Sequence, residues 1–175
     1  KYPQNMNFDV ASKILEYLFG VRNPYINLEF QGGEPLLNWK IVKFLVEYVR
    51  KFNTTGKTLR IGLVTNGVLL DEKKINFLVD NDVNICISID GPEQIHNKNR
   101  IFKNGEGSYK QVITAIKRLK GIYNRRKINK PLDLLLTVTK YSLSCPGKII
   151  DEYVKLGAEQ IALRPVNKIG FAKED

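Results

Sequence analysis

Residues 26–35 read Ile-Asn-Leu-Glu-Phe-Gln-Gly-Gly-Glu-Pro, an apolar run that passes directly into a glycine pair, a carboxylate and a proline. The apolar run Ile26–Phe30 predicts a buried strand. The Gly32-Gly33 pair lets the backbone approach a ligand closely, Glu34 adds a carboxylate, and Pro35 stops further strand pairing. We therefore expect a strand that ends in a ligand-binding loop.

The rest of the chain alternates helices with similar strands, joined by short links. This order specifies parallel strands with right-handed crossovers, and so either one α/β sheet or part of a (β/α) barrel. No internal linker suggests a second domain, so we expect residues 1–175 to form a single domain. The predicted helices are Asp9–Phe19, Asn38–Phe52 with Asn38 as its cap, Asp71–Val79, a helix capped by Ser108, and Pro146–Leu156; the predicted strands are Ile26–Phe30, Leu59–Val64, Ile85–Ile89, Leu132–Val138 and Gln160–Leu163.

Polar residues follow every predicted strand, and in such folds ligands bind at the carboxyl ends of the strands. Their hydroxyl, amide and carboxylate groups suit a polar small ligand such as a nucleoside or an amino acid. The same residue types dominate ordinary turns, which is the alternative explanation for any one strand end. The residues concerned are Gly32–Pro35, Thr65–Gly67, Ser88 with Asp90–Pro92, Thr137 with Thr139, and Arg164-Pro165.

The net charge of +10 raises the question of a nucleic-acid partner. Seven basic residues and no acidic ones lie between Lys117 and Lys130. This basic cluster covers a predicted helix end and the following loop, at the sheet edge opposite the ligand edge. It is either a solvated helix end or an anion-binding surface. Tyr123 is the one aromatic residue in the cluster, so a stacking platform for nucleic acid is not expected.

The chain has two cysteines, Cys86 and Cys145, and neither lies at a metal-ligand spacing from another thiol. Cys86 lies inside an apolar strand and is expected in the core. The sequence has no apolar stretch long enough to cross a membrane and no secretory leader. We therefore expect a cytoplasmic protein without a membrane partner.

Three motifs in chain order resemble those of radical S-adenosylmethionine (radical SAM) enzymes: Phe30–Leu36, Thr65–Gly67, and Ser88–Pro92 followed by His96 and Arg100. The resemblance runs from about Asp9 to Ala172. It is closest to peptide and protein maturases, either the anaerobic sulfatase-maturating group or the maturases of His-Xaa-Ser systems. The second group is favoured by Arg164-Pro165-Val166 and Gly170-Phe171-Ala172. The implied fold is α/β, a partial parallel (β/α) barrel of the radical SAM type.

The resemblance implies that the loop Gly32, Gly33, Glu34 and Pro35 hydrogen-bonds the methionyl amino group of S-adenosylmethionine. It implies that Ser88 contacts the ribose or the methionyl carboxylate of the same ligand.

Four further residues are implied at the site or beside it. Thr65 and Asn66 would line the same cavity, and Arg100 would offer a fork of donors to a carboxylate. Asp90 would either bind the ligand or stabilise its own turn. His96, the only histidine, either anchors its loop or touches substrate, and we assign no catalytic residue.

The family's chemistry depends on its cofactors. A reduced [4Fe–4S] cluster cleaves S-adenosylmethionine, and the resulting 5′-deoxyadenosyl radical abstracts hydrogen from the substrate, here expected to be a peptide or protein. A reductant such as flavodoxin or ferredoxin is the second implied partner. The cluster is held by three cysteines in a C-x3-C-x2-C loop after the first barrel strand, and this sequence contains no such loop. We expect that strand with its cluster loop upstream of Lys1 and expect the last helix to be missing as well. The chain alone is then inactive.

Two other functions remain open from the residues. A non-radical α/β enzyme could bind a nucleotide or phosphate, although the chain has no glycine-rich phosphate loop before a helix. A non-catalytic module could instead recognise a precursor peptide through an exposed sheet edge.

Overall fold

A computed structural model describes residues 5–54 and 56–167. Helices and strands alternate along this part of the chain, and a 3₁₀ turn, Pro35–Asn38, precedes the second helix. The helices are α1 (Phe8–Gly20), α2 (Trp39–Lys51), α3 (Glu72–Asp80), α4 (Glu93–Asn99), α5 (Tyr109–Arg126), α6 (Lys140–Leu143) and α7 (Pro146–Leu156). The strands are β1 (Tyr25–Phe30), β2 (Thr58–Thr65), β3 (Val83–Ser88), β4 (Asp133–Val138) and β5 (Ala162–Pro165).

The strands form one sheet in the order β1-β2-β3-β4-β5. Parallel pairing joins β1 to β2, β3 to β4, and β4 to β5. Strands that follow one another along the chain are therefore neighbours in the sheet. This is the order of a (β/α) barrel, whereas a doubly wound sheet reverses its order at a switch point. The predicted parallel α/β fold is confirmed.

The chain divides into two compact units. The first unit consists of Lys1–Thr65 and Lys73–Ile85, and the second consists of Asn66–Glu72 and Cys86–Asp175. The expectation of a single domain stays a prediction.

In the first unit, α1 begins at Asn7, whose Oδ1 accepts a hydrogen bond from the backbone N–H of Val10 at 2.9 Å. The helix α2 begins after Asn38, but Asn38 does not cap it as predicted. Its amide nitrogen donates instead to the carbonyl oxygen of Met6, at 2.9 Å. The 3₁₀ turn before α2 already fixes the backbone there, which removes the need for a side-chain cap. The buried face of α2 is apolar and consists of Ile41, Val42, Leu45, Val46 and Val49.

In the second unit, α5 has an apolar buried face that includes Val112, Ala115, Ile116 and Leu119. Ser108 precedes this helix but makes no side-chain cap. The cap comes from Asn97, whose Oδ1 accepts the N–H of Tyr109 at 3.0 Å. The strand β4 buries three consecutive leucines, Leu134–Leu136, as expected of a strand covered on both faces.

The structure differs from the predicted elements in two short helices and in the bounds of β3 and β5. The helices α4 and α6 were not predicted, because neither is long enough to show helical periodicity. The strand β3 begins two residues earlier than predicted. The last strand begins at Ala162, two residues later than predicted, and includes Arg164 and Pro165, which were expected to follow it, because the register pairs these residues with β4. The Gln160 side chain, predicted inside the strand, donates to Asp133 Oδ1 at 2.8 Å. The motif Gly170-Phe171-Ala172 lies outside the described residues.

Candidate functional site

The first candidate region is the loop Gln31–Pro35, which we name the glycine loop, in the first unit. Gly32 has φ +88° and Gly33 has φ +24°, so both adopt the left-handed region that favours glycine. Nothing lies within 4 Å of a Cβ built on either residue. The glycines are therefore required by the backbone conformation and leave open space beside their peptide groups.

Glu34 ties the glycine loop to the end of β2. Its Oε1 accepts the N–H of Leu36 at 3.0 Å and the hydroxyl of Thr65 at 2.7 Å. Thr65 is buried, with 1% of its surface exposed. Pro35 occupies the first turn of the 3₁₀ helix, and β1 has already ended at Phe30, so Pro35 is not what ends the strand. The carboxylate of Glu34 is thus held in one orientation from two sides.

A cavity of about 670 Å³ opens beside the glycine loop, within the first unit. It lies in the size range of small-molecule sites. Apolar residues of β1 and α2 line one part of the cavity, namely Leu28, Phe30, Ile41, Val42 and Leu45. The glycine loop and Asn38 supply its polar part.

The second candidate region lies in the second unit and centres on an ion pair. Arg100 Nε donates to Asp90 Oδ2 at 2.8 Å, and Arg100 Nη2 donates to Asp90 Oδ1 at 3.1 Å. The Asp90 side chain is 1% exposed and the Arg100 side chain 24% exposed. Thr137 joins the pair, because its N–H donates to Asp90 Oδ1 at 3.0 Å and its Oγ1 accepts from Arg100 Nη2 at 3.1 Å. The predicted donor fork of Arg100 thus binds a carboxylate of the protein itself.

His96 is fully buried beside this pair. Its Nδ1 accepts the N–H of Asp90 at 3.2 Å, so the neutral ring carries its proton on Nε2. Burial lowers the pKa of His96 from 6.5 to about 4; the Asp90 carboxylate opposes this shift and Arg100 adds to it. Of the two alternatives for His96, the contacts match the anchoring role.

Ser108 completes a closed circuit of hydrogen bonds. Its Oγ lies 3.0 Å from His96 Nε2 and donates to the carbonyl oxygen of Arg100 at 3.0 Å. The circuit runs from Asp90 through His96 and Ser108 to Arg100, and returns to Asp90 through the guanidinium. We name these four residues the Asp90–Arg100 ring. Asp90 therefore stabilises its segment through both its side chain and its backbone N–H, and a ligand contact of Asp90 stays a prediction.

Three donors at this region have no acceptor within residues 5–54 and 56–167. They are the hydroxyl of Ser88, the hydroxyl of Thr137 and the Nη1 group of Arg100. Ser88 pairs in register with Leu135, and Thr137 follows two residues later, so Ser88 and Thr137 lie on the same face of the sheet. A group of donors without acceptors suits a ligand that supplies acceptor oxygens, such as a carboxylate.

Asn66 has a local role. Its Oδ1 accepts the N–H of Val68 at 2.9 Å, which forms an Asx turn at the end of β2. Gly67, which follows, has φ +78°, and a Cβ there would lie 3.1 Å from Ile87 Cγ2. The sequence Asn66-Gly67 is therefore explained by turn chemistry and packing.

Sequence analysis missed Ser108 and Asn99 as members of the polar network. Asn99 Oδ1 accepts the hydroxyl of Thr139 at 3.2 Å, and its Nδ2 is a buried donor without a partner among the described residues. Ser108 stands twelve positions after His96, a separation that has no meaning in any repeat of a helix or strand. Only the loop between α4 and α5 brings the two side chains together.

The described residues do not fit an iron–sulfur cluster. No group of three or more His, Cys, Asp or Glu side chains in residues 5–54 and 56–167 could hold a metal ion. Cys86 lies within β3 and Cys145 stands immediately before α7, and neither is in a disulfide. Cys86 is half-buried, so the expectation that it lies in the core was wrong.

The basic cluster between Lys117 and Lys130 follows the last turns of α5 and the loop before β4. Lys120 Nζ donates to the carbonyl oxygen of Leu156 at 2.7 Å, and Arg125 pairs with Glu72 at 2.8 Å. These bonds give part of the cluster a role inside the protein. Among the helices of the described ranges, none has the length and apolar character needed to cross a bilayer.

A family model described as the radical SAM superfamily matches residues 1–133. An uncharacterized protein of Methanocaldococcus jannaschii is 30% identical over 171 residues, which cover 96% of this chain and 57% of that protein. A cysteine-type anaerobic sulfatase-maturating enzyme of Clostridium novyi is 30% identical over 136 residues, which cover 77% of this chain and 35% of that enzyme. The predicted resemblance to radical SAM maturases is confirmed, and the sulfatase-maturating group is the one that these relatives support. The preference for the His-Xaa-Ser group stays a prediction.

A solved structure described as native anSMEcpe with bound AdoMet and Kp18Cys peptide superposes with a TM-score of 0.81 at 26% identity. The match covers 91% of this chain and 43% of that one. It confirms the predicted barrel type of fold. The chain thus spans about half of the length, or less, of these similar proteins.

Proposed function

Because the chain belongs to the radical SAM superfamily, we propose that the whole protein is an enzyme that cleaves S-adenosylmethionine reductively and modifies a peptide or protein substrate. The support for a peptide substrate is the likeness to sulfatase-maturating enzymes and to a structure with a bound peptide. When bound, S-adenosylmethionine supplies the 5′-deoxyadenosyl radical that abstracts hydrogen from the substrate. The residues of this chain bind and orient that ligand.

One observation carries the proposal, namely the group of donors in the second unit that have no acceptor within residues 5–54 and 56–167. The hydroxyls of Ser88 and Thr137 and the Nη1 group of Arg100 suit an anionic acceptor. S-adenosylmethionine carries one carboxylate, on its methionyl end. We assign this carboxylate to the Ser88, Thr137 and Arg100 donors, with the ribose as the alternative contact of Ser88. Asp90 holds Arg100 in place.

The glycine loop offers acceptors. An ammonium group needs acceptor oxygens, and the open backbone at Gly32 and Gly33 and the carboxylate of Glu34 supply them. We assign the methionyl amino group to these acceptors. Pro35 fixes the loop by starting the 3₁₀ turn, and Thr65 orients Glu34 through its hydroxyl. Asn66 shapes the turn at the end of β2.

The [4Fe–4S] cluster needs thiolates, which the described residues do not provide. We therefore propose that its ligands lie outside this 175-residue chain, and that this chain alone does not cleave S-adenosylmethionine. A stoichiometric cluster on the 175-residue chain after anaerobic reconstitution would contradict this. A reductant such as flavodoxin or ferredoxin, and a cytoplasmic location, belong to the same proposal.

Ligand binding by the full-length protein tests the assignment. Calorimetric titration with S-adenosylmethionine should show a Kd about tenfold weaker for Ser88→Ala, because one hydrogen bond to an ionised group is worth about 1.5 kcal/mol or more. The control is Ser144→Ala, which removes a hydroxyl from an exposed serine. Equal affinities of wild type and Ser88→Ala, at unchanged stability, would remove Ser88 from the site.

A further inference from the structure

The guanidinium of Arg100 is restrained on almost every side. Both protons of Nη2 are used, one on Asp90 Oδ1 and one on Thr137 Oγ1, and Nε donates to Asp90 Oδ2. Nη1 has no partner among the described residues, although the side chain keeps 24% of its surface exposed. The plane of the guanidinium is therefore fixed, and Nη1 is the donor left for a ligand.

The backbone of Arg100 is restrained as well. Its carbonyl oxygen accepts from both the N–H and the hydroxyl of Ser108. Ser108 in turn is held by His96 Nε2, and His96 Nδ1 holds the N–H of Asp90. Asp90 and Arg100 are thus joined twice, once through their side chains and once through His96 and Ser108.

Two side chains of this circuit do not reach toward a ligand. His96 is fully buried and Ser108 is 7% exposed, and the polar atoms of both are already bonded inside the protein. An ordinary helix start needs neither of them, since Asn97 caps α5 by accepting the N–H of Tyr109. The His96–Ser108 pair is therefore not explained by helix capping.

We propose that His96 and Ser108 are positioning residues that fix the Arg100 guanidinium for recognition of the ligand carboxylate. This inference rests on the proposed binding of S-adenosylmethionine. Loss of the His96–Ser108 link frees the backbone of Arg100 and lets Asp90 and Arg100 turn together. The pair survives such a turn, but Nη1 no longer points at the position of the carboxylate.

The test uses the full-length protein and two ligands, S-adenosylmethionine and its decarboxylated form, which lacks only the carboxylate. Wild type should bind the decarboxylated form more weakly. Ser108→Ala should weaken S-adenosylmethionine binding about tenfold and leave the Kd of the decarboxylated form unchanged, so that the discrimination between the two ligands falls. A role in folding alone would change both affinities together.

Asn97→Ala is the matched control, because it removes a hydrogen bond from the same helix, α4, outside the Asp90–Arg100 ring. It should lower the melting temperature and leave the discrimination intact. His96→Asn is the second variant, since the asparagine oxygen can replace Nδ1 as acceptor for Asp90 while the donor to Ser108 is lost. It should behave like Ser108→Ala.

The outcomes separate the two proposals. Wild type that fails to bind S-adenosylmethionine, or that binds both ligands equally, overturns the proposed carboxylate site and this inference with it. Wild type that discriminates between the ligands, with Ser108→Ala and His96→Asn discriminating equally well, overturns the positioning role and leaves the proposed function standing.

Discussion

The glycine loop and the Asp90–Arg100 ring are built in opposite ways. The glycine loop exposes backbone at Gly32 and Gly33, and nothing lies within 4 Å of a Cβ added there. In the ring, by contrast, Asp90 is 1% exposed and His96 fully buried. The Asp90 carboxylate binds Arg100, and the His96 imidazole binds the backbone N–H of Asp90 and the hydroxyl of Ser108. The loop therefore depends on a backbone conformation, and the ring depends on a set of side-chain contacts.

This difference determines how each region responds to mutation. A backbone conformation is lost by adding a Cβ, at the cost of local strain. A closed network loses stability when any member is removed, because the remaining polar groups are buried without partners. The ring should consequently be sensitive in stability, and the loop chiefly in binding.

The largest effect is expected from Asp90→Ala. This change removes the acceptor of the Arg100 guanidinium and of the Thr137 N–H. Removal of the buried partner of such an ion pair lowers the free energy of unfolding by about 4 kcal/mol. Urea unfolding measures the loss. The control is Glu47→Ala, which breaks the exposed pair of Glu47 with Lys43 and should cost at most about 0.5 kcal/mol. Similar losses of unfolding free energy for the two variants would contradict the conclusion that the Asp90–Arg100 ring stabilises the fold.

The next effect is a pH dependence of stability that originates at His96. Its folded pKa is about 4 and its unfolded pKa 6.5, so the unfolded chain binds more protons between these values. The contribution of neutral His96 to the free energy of unfolding is fully present above pH 6.5. It is lost as the pH falls towards 4, and the total loss is about 3 kcal/mol. At the His96 imidazole lie Asp90 and Arg100, whose charges act on its pKa, and Tyr109, whose ring centroid is 5.8 Å away.

Unfolding of wild type and of His96→Asn, followed from pH 7 to pH 4, isolates this contribution. His96 is the only histidine, so His96→Asn removes the one imidazole of the chain and the difference between the two curves reports on it. The stability advantage of wild type should shrink as the pH falls. If the two curves of unfolding free energy against pH stay parallel over this range, the imidazole of His96 is not held in its neutral form by burial.

The two regions also differ in how far the sequence predicts them. The glycine loop follows an apolar run and was located from its own residues, because Gly, Glu and Pro have strong local meaning. The ring was found only in part: Asp90 and Arg100 were chosen, but as ligand contacts, and Ser108 was expected to be a helix cap. Contacts between residues ten to forty-seven positions apart, such as Asp90 with Thr137, leave no periodic signal.

A similar limit applies to the fold. Long helices and buried strands were predicted within one or two residues because hydrophobic periodicity is a property of many positions together. The four-residue α6 and the start of β5 depend on a capping box at Thr139 and on the register with β4. These are decided by a few hydrogen bonds, which a local pattern does not reveal.

A smaller effect is expected from Gly32→Ala in the glycine loop. The left-handed φ of +88° costs an alanine about 1 to 2 kcal/mol, although there is room for its methyl group. Gly20→Ala is the control, since Gly20 also has nothing within 4 Å of an added Cβ but lies at the end of α1 without a positive φ. It should be neutral or slightly stabilising. Equal stabilities would mean that Gly32 is not needed for its conformation.

The smallest effect in stability is expected from Thr65→Val, which keeps the shape of the side chain and removes the hydroxyl that donates to Glu34. We expect a loss of about 1 kcal/mol, because one buried hydrogen bond is lost while Glu34 keeps the N–H of Leu36. Binding of S-adenosylmethionine by the full-length protein should weaken several-fold, since the Glu34 carboxylate then loses its hydrogen bond to the end of β2. Should the affinity stay unchanged while the stability falls, Glu34 would not need Thr65 for ligand binding, and the glycine loop would depend on its backbone alone.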